Sequence, residues 1–198
     1  MRSSNFYKPK ELTPKKQWLI TILLLIVMAL TRSDYLPNLQ DASWAVFFLV
    51  GFYLRNYLGL AIIILFAVII DFSMIAAQGG HQDYYLAPSY LFIIPAYAAL
   101  WFAGRLTANI YCENIKGLFI FIALSSLGAI ACDLISSGGF FWLSSEVLDL
   151  SFSEMIERRL DFMPVYLKTI GIYLGIASII HISFIFILKN IKAKTSLS

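Results

Sequence analysis

Charge is scarce in this sequence. Lysine, arginine, aspartate and glutamate make up 14% of its 198 residues, whereas hydrophobic residues make up 60%. That leaves too little polar surface to coat a water-soluble globule, so the composition excludes a soluble domain and indicates an integral membrane protein. Alternating strand patterns are also lacking, which excludes a lipid-facing barrel and leaves membrane-spanning helices. We therefore predict one all-α membrane domain over residues 1–198.

Motifs for catalysis and metal binding are absent as well. The sequence contains no HExxH, no GxSxG and no glycine-rich phosphate loop. His81 and His181 are predicted near opposite membrane faces, so they cannot share a metal. Cys112 and Cys132 are separated in the same way and cannot form a disulfide. We expect that the protein is not an enzyme, that it has no resident cofactor and that it does not bind nucleic acid.

Apolar runs recur at the length of bilayer-spanning helices. We predict six spans, at residues 14–31, 43–54, 57–77, 88–104, 116–135 and 164–188. Basic tails, 1–13 and 189–198, flank this 14–188 bundle. Pro14 and Pro164 each suit the first turn of a helix, where the missing N–H is not needed. The second span reaches only about 20 Å, short of the roughly 30 Å hydrocarbon core, so it could instead fuse with the third.

The distribution of basic residues decides between six crossings and five. Lysines and arginines concentrate in both tails, so the positive-inside rule predicts that both termini are cytoplasmic. Fusion of the second and third spans would put the tails on opposite sides, whereas six crossings put them on the same side. Most acids fall at the outer side, together with several aromatic residues.

These outer polar and aromatic residues form the candidate binding site. They are Asp41, Trp44, Asp71, His81, Asp83, Tyr84, Tyr85 and Tyr90. A solvated rim with an aromatic belt is the alternative for any one of them. Asp71 and Asp133 stand out because each abuts an apolar helix, where an acid usually faces a partner or a wet cavity. We favour a cavity wall for both acids, and the alternative for Asp71 is an ion pair with Arg32 or Lys168.

Small residues at helical spacing predict close helix packing. Gly171-x-x-x-Gly175 and Ala99-x-x-x-Ala103 would each let a neighbouring backbone approach. Packing within the bundle is the main expectation, and docking to a partner membrane subunit is the alternative. Residues 144–162 have helical apolar spacing, which predicts a short surface helix over the outer mouth with Ser153 as its N-cap.

Two stretches resemble a known transporter family. They are DASWAVFFLVGFYLR, residues 41–55, and DYYLAPSYLFIIPAYAALWFAGR, residues 83–105. Both are similar to BtuM-like vitamin B12 transporters, solitary relatives of the S-components of energy-coupling-factor transporters. The resemblance implies a six-helix S-component-like bundle in the bacterial inner membrane, in contact with lipid, that binds cobalamin in an outward-facing pocket. It also implies an energy-coupling membrane subunit and ATPase as partners, with cobalamin as the transported ligand rather than a cofactor.

One position departs from that family pattern. Many members carry a cysteine that reaches cobalt, in the order Asp, Phe, Cys, two residues, Pro, and the matching positions here run from Asp83 to Pro88. Tyr85 stands in place of the cysteine, and a neutral phenol is a poor ligand for cobalt. His81 is a weak candidate to supply an imidazole instead, with an ordinary loop histidine as the alternative.

A different class of function stays open beside transport. An MreD-like structural scaffold is also small and six-spanning, and it has no small-molecule substrate. A scaffold should depend on its cytoplasmic loops or helix faces and tolerate changes at the outer mouth. A transporter should fail when the mouth is altered.

Overall fold

The computed structural model describes residues 13–32, 39–77, 88–112, 114–143 and 151–195, with side chains described as far as residue 183. Within these ranges all regular structure is helical, so the predicted all-α class is confirmed. The α-helices are α1 (Pro14–Arg32), α2 (Ser43–Tyr53), α3 (Tyr57–Ala77), α4 (Ile93–Ile110), α5 (Ile115–Leu143) and α6 (Phe152–Thr195), and a 3₁₀ helix (Pro88–Phe92) precedes α4.

Five of these segments are long and apolar enough to cross a membrane: α1, α3, the 3₁₀ helix with α4, α5, and α6 as far as Ser183. Large apolar side chains on them point away from the protein. Leu19, Leu65, Phe119 and Ile179 are each more than 60% exposed. A helical surface of this kind needs lipid rather than water around it. The helices therefore fit a multi-pass membrane protein.

The short helix α2 is enclosed by protein instead of lipid. Nine of its 11 residues are buried, and it packs against all five other α-helices. A helix without lipid contact need not match the hydrocarbon thickness, which is why a helix of about 16 Å can occupy the centre of the bundle. Arg55 has a φ of 55°, a left-handed conformation that follows α2, so α2 and α3 do not fuse into one helix.

Two glycines let α2 and α4 touch backbone to backbone. A Cβ atom on Gly51 would lie 1.9 Å from the carbonyl oxygen of Trp101, and one on Gly104 would lie 2.0 Å from that of Phe48. Both distances are far below van der Waals contact, so only glycine fits at this crossing.

The predicted small-residue patterns have different outcomes. Ala103 packs against α5, because a Cβ on Gly128 would lie 2.7 Å from the Ala103 Cβ. By contrast, a Cβ on Gly171 or Gly175 would meet nothing within 4 Å in the described part of the chain. The expectation that the glycines of α6 pack within the bundle is therefore wrong for the described residues.

Contacts between helix ends define one end of the bundle. Arg32, the last residue of α1, bonds to Ser43, the first of α2. Arg32 also bonds to Asp71 in the second half of α3, and Asp71 accepts a hydrogen bond from Tyr90, just before α4. Arg159, near the start of α6, pairs with Asp133 in the second half of α5. We call this end the mouth end.

The opposite end, here called the far end, is defined in the same way. Tyr53 at the end of α2 contacts His181, late in α6, with 3.1 Å between Oη and Nδ1. Tyr57 at the start of α3 lies against Trp101 and Arg105 of α4. Successive helices therefore run in alternate directions, and α1 begins and α6 ends at the far end.

Each predicted span falls on a helix, but α4, α5 and α6 are longer than predicted, and α4 ends at Ile110 rather than at residue 104. The start at Pro14 is confirmed, and α5 continues past residue 135 to Leu143. The start at Pro164 is wrong, because Pro164 lies inside α6. The separate surface helix over residues 144–162 is wrong as well, since α6 already begins at Phe152 and continues to Thr195.

Local hydrogen bonding explains where α6 begins. The Ser151 N–H donates to Glu154 Oε2 at 2.8 Å, and the Glu154 N–H donates to Ser151 Oγ at 3.3 Å. This reciprocal pair is a capping box, which stabilises a first helical turn. The N-cap is therefore Ser151 rather than the predicted Ser153. Pro164 removes one N–H donor further along, a loss that a long membrane helix tolerates.

Candidate functional site

Four of the eight predicted site residues lie in the described part of the chain, and all four are at the mouth end: Asp41, Trp44, Asp71 and Tyr90. The other four, His81, Asp83, Tyr84 and Tyr85, lie outside the described residues. Their binding roles, including cobalt ligation by His81, stay predictions.

Arg32 is the centre of a polar cluster at the mouth end. Its Nε lies 2.6 Å from Asp71 Oδ1 and its Nη2 lies 2.7 Å from Asp71 Oδ2. On the other side, Nη1 lies 3.1 Å from Asp41 Oδ2, 2.7 Å from Tyr97 Oη and 3.0 Å from Ser43 Oγ. One guanidinium group thereby joins α1 to α2, α3 and α4.

Asp71 has its hydrogen-bonding needs met by other residues of the protein. Its side chain is 3% exposed, and besides the two bonds from Arg32 it accepts one from the Tyr90 hydroxyl at 2.5 Å. A buried carboxylate is tolerated when it is paired and hydrogen-bonded in this way. The ion pair with Arg32, which the sequence offered as the alternative for Asp71, is therefore present.

Two cavities lie beside the Arg32 cluster. The first cavity, about 360 Å³, lies between the last residues of α1, the first residues of α2 and the side of α6. Arg32, Asp41 and Trp44 are among its lining residues. The second cavity, about 390 Å³, lies between α2, α5 and α6. Asp71 and Tyr90 line neither of these two cavities.

Three aromatic side chains line both cavities and form the wall between them: Trp44, Phe162 and Tyr166. We call this set the aromatic wall. Within it the rings of Trp44 and Tyr166 stack, with centroids 4.8 Å apart and planes at 23°. The predicted site residue Trp44 is thus placed where it can contact a ligand in either cavity.

The second cavity contains a charged pair in aromatic surroundings. Asp133 Oδ1 lies 3.4 Å from Arg159 Nη2. The guanidinium carbon of Arg159 lies 5.7 Å from the ring centroids of both Phe162 and Tyr166, a cation–π distance. Asp133 therefore lines a cavity, as predicted, but among different neighbours from those of Asp71.

Sequence reasoning missed several residues of this site. Arg159, Phe162 and Tyr166 were assigned to a surface helix or to the start of a span. Tyr97 was only part of the family-like stretch. The signal for Arg159 was the acid at position 133, because a buried carboxylate at the mouth end needs a cation and few basic residues are predicted there.

Histidine and cysteine contribute little to the described site. Within the described ranges no three side chains of His, Cys, Asp or Glu gather as a metal would require. His181 contacts Tyr53 at the far end. Cys112 and Cys132 are both free thiols, and Cys132 is buried.

Comparison of the sequence with models of protein families and with curated proteins finds no match.

Proposed function

We propose that this protein binds a corrinoid, cobalamin, at the mouth end and mediates its uptake across the bacterial inner membrane. The observation that carries the proposal is the pair of cavities separated by the aromatic wall. A corrinoid is a broad flat ring fringed with amides, so it needs large aromatic contact surfaces and scattered hydrogen-bonding groups. The two cavities offer both, in the rings of the wall and in the polar groups of Asp41 and Asp133.

The size of the ligand requires both cavities. Together they hold about 750 Å³ (360 and 390 Å³), and drug-sized ligands occupy pockets of roughly 300 to 1,000 Å³. A corrinoid is larger than a drug-sized ligand, so neither cavity alone accommodates it, and the two cavities joined must also widen. We expect the stacked rings of Trp44 and Tyr166 to separate when the ligand binds, which joins the cavities into one pocket.

The family resemblance supports the same site. The similar stretches, residues 41–55 and 83–105, supply Asp41 and Trp44 to the cavity walls and Tyr97 to the Arg32 cluster. An S-component-like bundle, with an energy-coupling membrane subunit and an ATPase as partners, follows from that resemblance as part of the proposal.

We further propose six crossings with both termini in the cytoplasm. The alternate directions of successive helices support this topology, with the buried α2 as the additional crossing. Lys15 and Lys16 at the start of α1, and the lysines near the end of α6, belong to the same far end, which fits the positive-inside rule. Fusions at each terminus to reporters active only inside or only outside the cytoplasm test this. Opposite locations of the two termini would contradict it.

Binding of cyanocobalamin to the purified protein is the direct test of the proposed ligand. We expect Trp44→Leu to weaken the affinity about tenfold, because it removes an aromatic contact surface from both cavities. Trp142→Leu is the matched control, since Trp142 lies in the last turn of α5 at the mouth end, is 76% exposed and lines neither cavity. Absence of cyanocobalamin binding to the parent, or equal losses in the two variants, would count against the proposal.

Growth on limiting vitamin tests uptake. A strain deficient in vitamin B12 uptake should grow when it produces this protein and should fail with the Trp44→Leu variant. Repeating the assay with and without an energy-coupling module tests the proposed partners. A purely structural scaffold would bind no corrinoid and would leave growth unchanged.

A further inference from the structure

The charged pair of the second cavity has incomplete hydrogen bonding. Asp133 is 2% exposed, and its Oδ1 faces Arg159 Nη2 at 3.4 Å and Ser137 Oγ at 3.5 Å. Its other oxygen, Oδ2, has no hydrogen-bond donor among the described residues, and the buried Nε of Arg159 has no acceptor among them. Buried polar atoms are nearly always hydrogen-bonded in folded proteins, so two unsatisfied atoms on one ion pair point to a group that the described residues do not supply.

The two atoms need opposite kinds of hydrogen-bonding partner. Arg159 Nε–H needs an acceptor, and Asp133 Oδ2 needs a donor. The pair has no net charge, and aromatic rings dominate its surroundings, among them Phe140, Phe141 and the aromatic wall. A charged ligand group would therefore be only half satisfied.

Charge excludes the simplest anions and cations from this position. A carboxylate would satisfy Arg159 but would meet Asp133 with a like charge, and an ammonium group would do the reverse. An ammonium group would also add to the positive charge of Arg158 and Arg159, which both line this cavity, and the exposed Arg158 is hydrated and compensates a carboxylate only weakly. A primary carboxamide carries an acceptor oxygen and an NH₂ donor side by side and is neutral.

We propose that the second cavity binds a neutral carboxamide group between Asp133 and Arg159. The two side chains turn towards the group as it enters, because both atoms are buried in this structure. Its carbonyl oxygen then accepts from Arg159 Nε–H, its NH₂ donates to Asp133 Oδ2, and the aromatic rings cover the group to which it is attached. This inference deepens the proposed function, and it rests on that function only for the natural ligand, which would present one of the amides on the corrinoid rim. The amide site itself rests on the cavity and its two unsatisfied atoms.

Three probes of one shape test the chemistry without a corrinoid. Benzamide offers a donor and an acceptor, benzoate only acceptors with a negative charge, and benzylamine only donors with a positive charge. We expect benzamide to bind the purified protein at least about tenfold more tightly than either of the others, measured by ligand-observed NMR titration, since each of the others loses a hydrogen bond to a charged group.

Substitutions test whether a preference for benzamide depends on the pair of Asp133 and Arg159. Asp133→Leu combined with Arg159→Met removes both charges at once, which avoids leaving a buried charge alone. This double variant should lose the preference for benzamide. Lys168→Met is the matched control, because Lys168 is a basic residue of the same helix that is exposed and lines neither cavity, so it should leave the preference unchanged. Melting temperatures of all variants check that they fold.

The outcomes separate the two proposals. The amide site is overturned if no probe binds the parent, which is the result expected of a cavity that only water fills. It is also overturned if benzoate or benzylamine binds as tightly as benzamide, or if the double variant keeps the preference for benzamide. For the corrinoid, cyanocobalamin is compared with derivatives in which one peripheral amide is hydrolysed to the acid. We expect one such derivative to bind the parent about tenfold more weakly than cyanocobalamin does. The double variant should bind that derivative and cyanocobalamin with equal affinity.

Two results would distinguish a failure of the amide site from a failure of the proposed function. Selective benzamide binding with no binding of cyanocobalamin would overturn the proposed function and leave the amide site standing. Equal cyanocobalamin affinity of the parent and the double variant would leave the proposed function standing and overturn the pair as its amide subsite.

Discussion

Replacing Arg32 with methionine should destabilise the protein more than replacing Asp71 with asparagine, although the two residues share one ion pair. Arg32 donates two of the three hydrogen bonds described for Asp71, which is 3% exposed. Its removal leaves a buried carboxylate with no counter-charge in the described structure, and such a change costs about 3 to 5 kcal/mol. Arg32 itself has a second carboxylate, Asp41, at 3.1 Å. Asp71→Asn therefore leaves the arginine paired and should cost about 1 to 3 kcal/mol.

A double variant tests whether the cost comes from the unpaired charge. Arg32→Met with Asp71→Leu removes both charges, so no carboxylate remains buried alone, and Asp41 is 42% exposed and can be hydrated. We expect the double variant to lose about 1 to 2 kcal/mol, mostly because Tyr97 loses the guanidinium to which its hydroxyl is bonded and Tyr90 loses the carboxylate to which it donates. The double variant would then be more stable than Arg32→Met alone, the mark of a strongly coupled pair.

The measurement is the free energy of unfolding in mixed micelles, from titration with SDS followed by far-UV circular dichroism. Lys168→Met is the control for loss of a basic residue, because Lys168 is exposed and should change the stability by less than about 0.5 kcal/mol. The reasoning fails if Arg32→Met costs less than about 1 kcal/mol, or if the double variant is no more stable than that single one.

Much of the fold could be predicted because long runs of apolar residues indicate membrane-spanning helices directly. The predicted third span matches α3, Tyr57–Ala77, at both ends. The errors lie where tertiary structure overrides the local pattern. The apolar spacing of residues 144–162 and the proline at 164 suggested a short surface helix followed by a separate span, yet the capping box at Ser151 starts a helix that continues through the proline. Burial on nearly all sides, which the sequence does not display, lets α2 be short.

The candidate site was harder to predict, as two acids illustrate. Asp71 and Asp133 look alike in the sequence, since each follows a run of apolar residues. In the folded chain Asp71 is satisfied by Arg32 and Tyr90, whereas Asp133 lines a cavity and has one oxygen without a hydrogen-bond donor among the described residues. The difference depends on which side chains from distant helices reach each carboxylate, and no local pattern records that. This difference distinguishes Asp71, which holds helices together, from Asp133, which we propose binds a ligand.

Three further predictions use the same assays. Gly104→Ala should destabilise by at least about 1 to 3 kcal/mol, because the new Cβ would lie 2.0 Å from the Phe48 carbonyl oxygen, whereas Gly171→Ala meets nothing within 4 Å and should be neutral in the SDS titration; equal effects would contradict the close crossing. Bound cyanocobalamin should keep the absorption spectrum of the free vitamin, since no cysteine is among the described residues lining either cavity, and a shift that disappears when both cysteines are removed would be contrary evidence. Finally, Asp133→Leu combined with Arg159→Met should leave the free energy of unfolding unchanged or raise it by about 1 to 2 kcal/mol while abolishing the preference for benzamide. Asp133 is buried with an oxygen that has no donor among the described residues, so removing both charges relieves an unfavourable desolvation and leaves no buried charge alone. A loss of more than about 1 kcal/mol in the SDS titration would mean that the pair stabilises the fold and is not held open for a ligand.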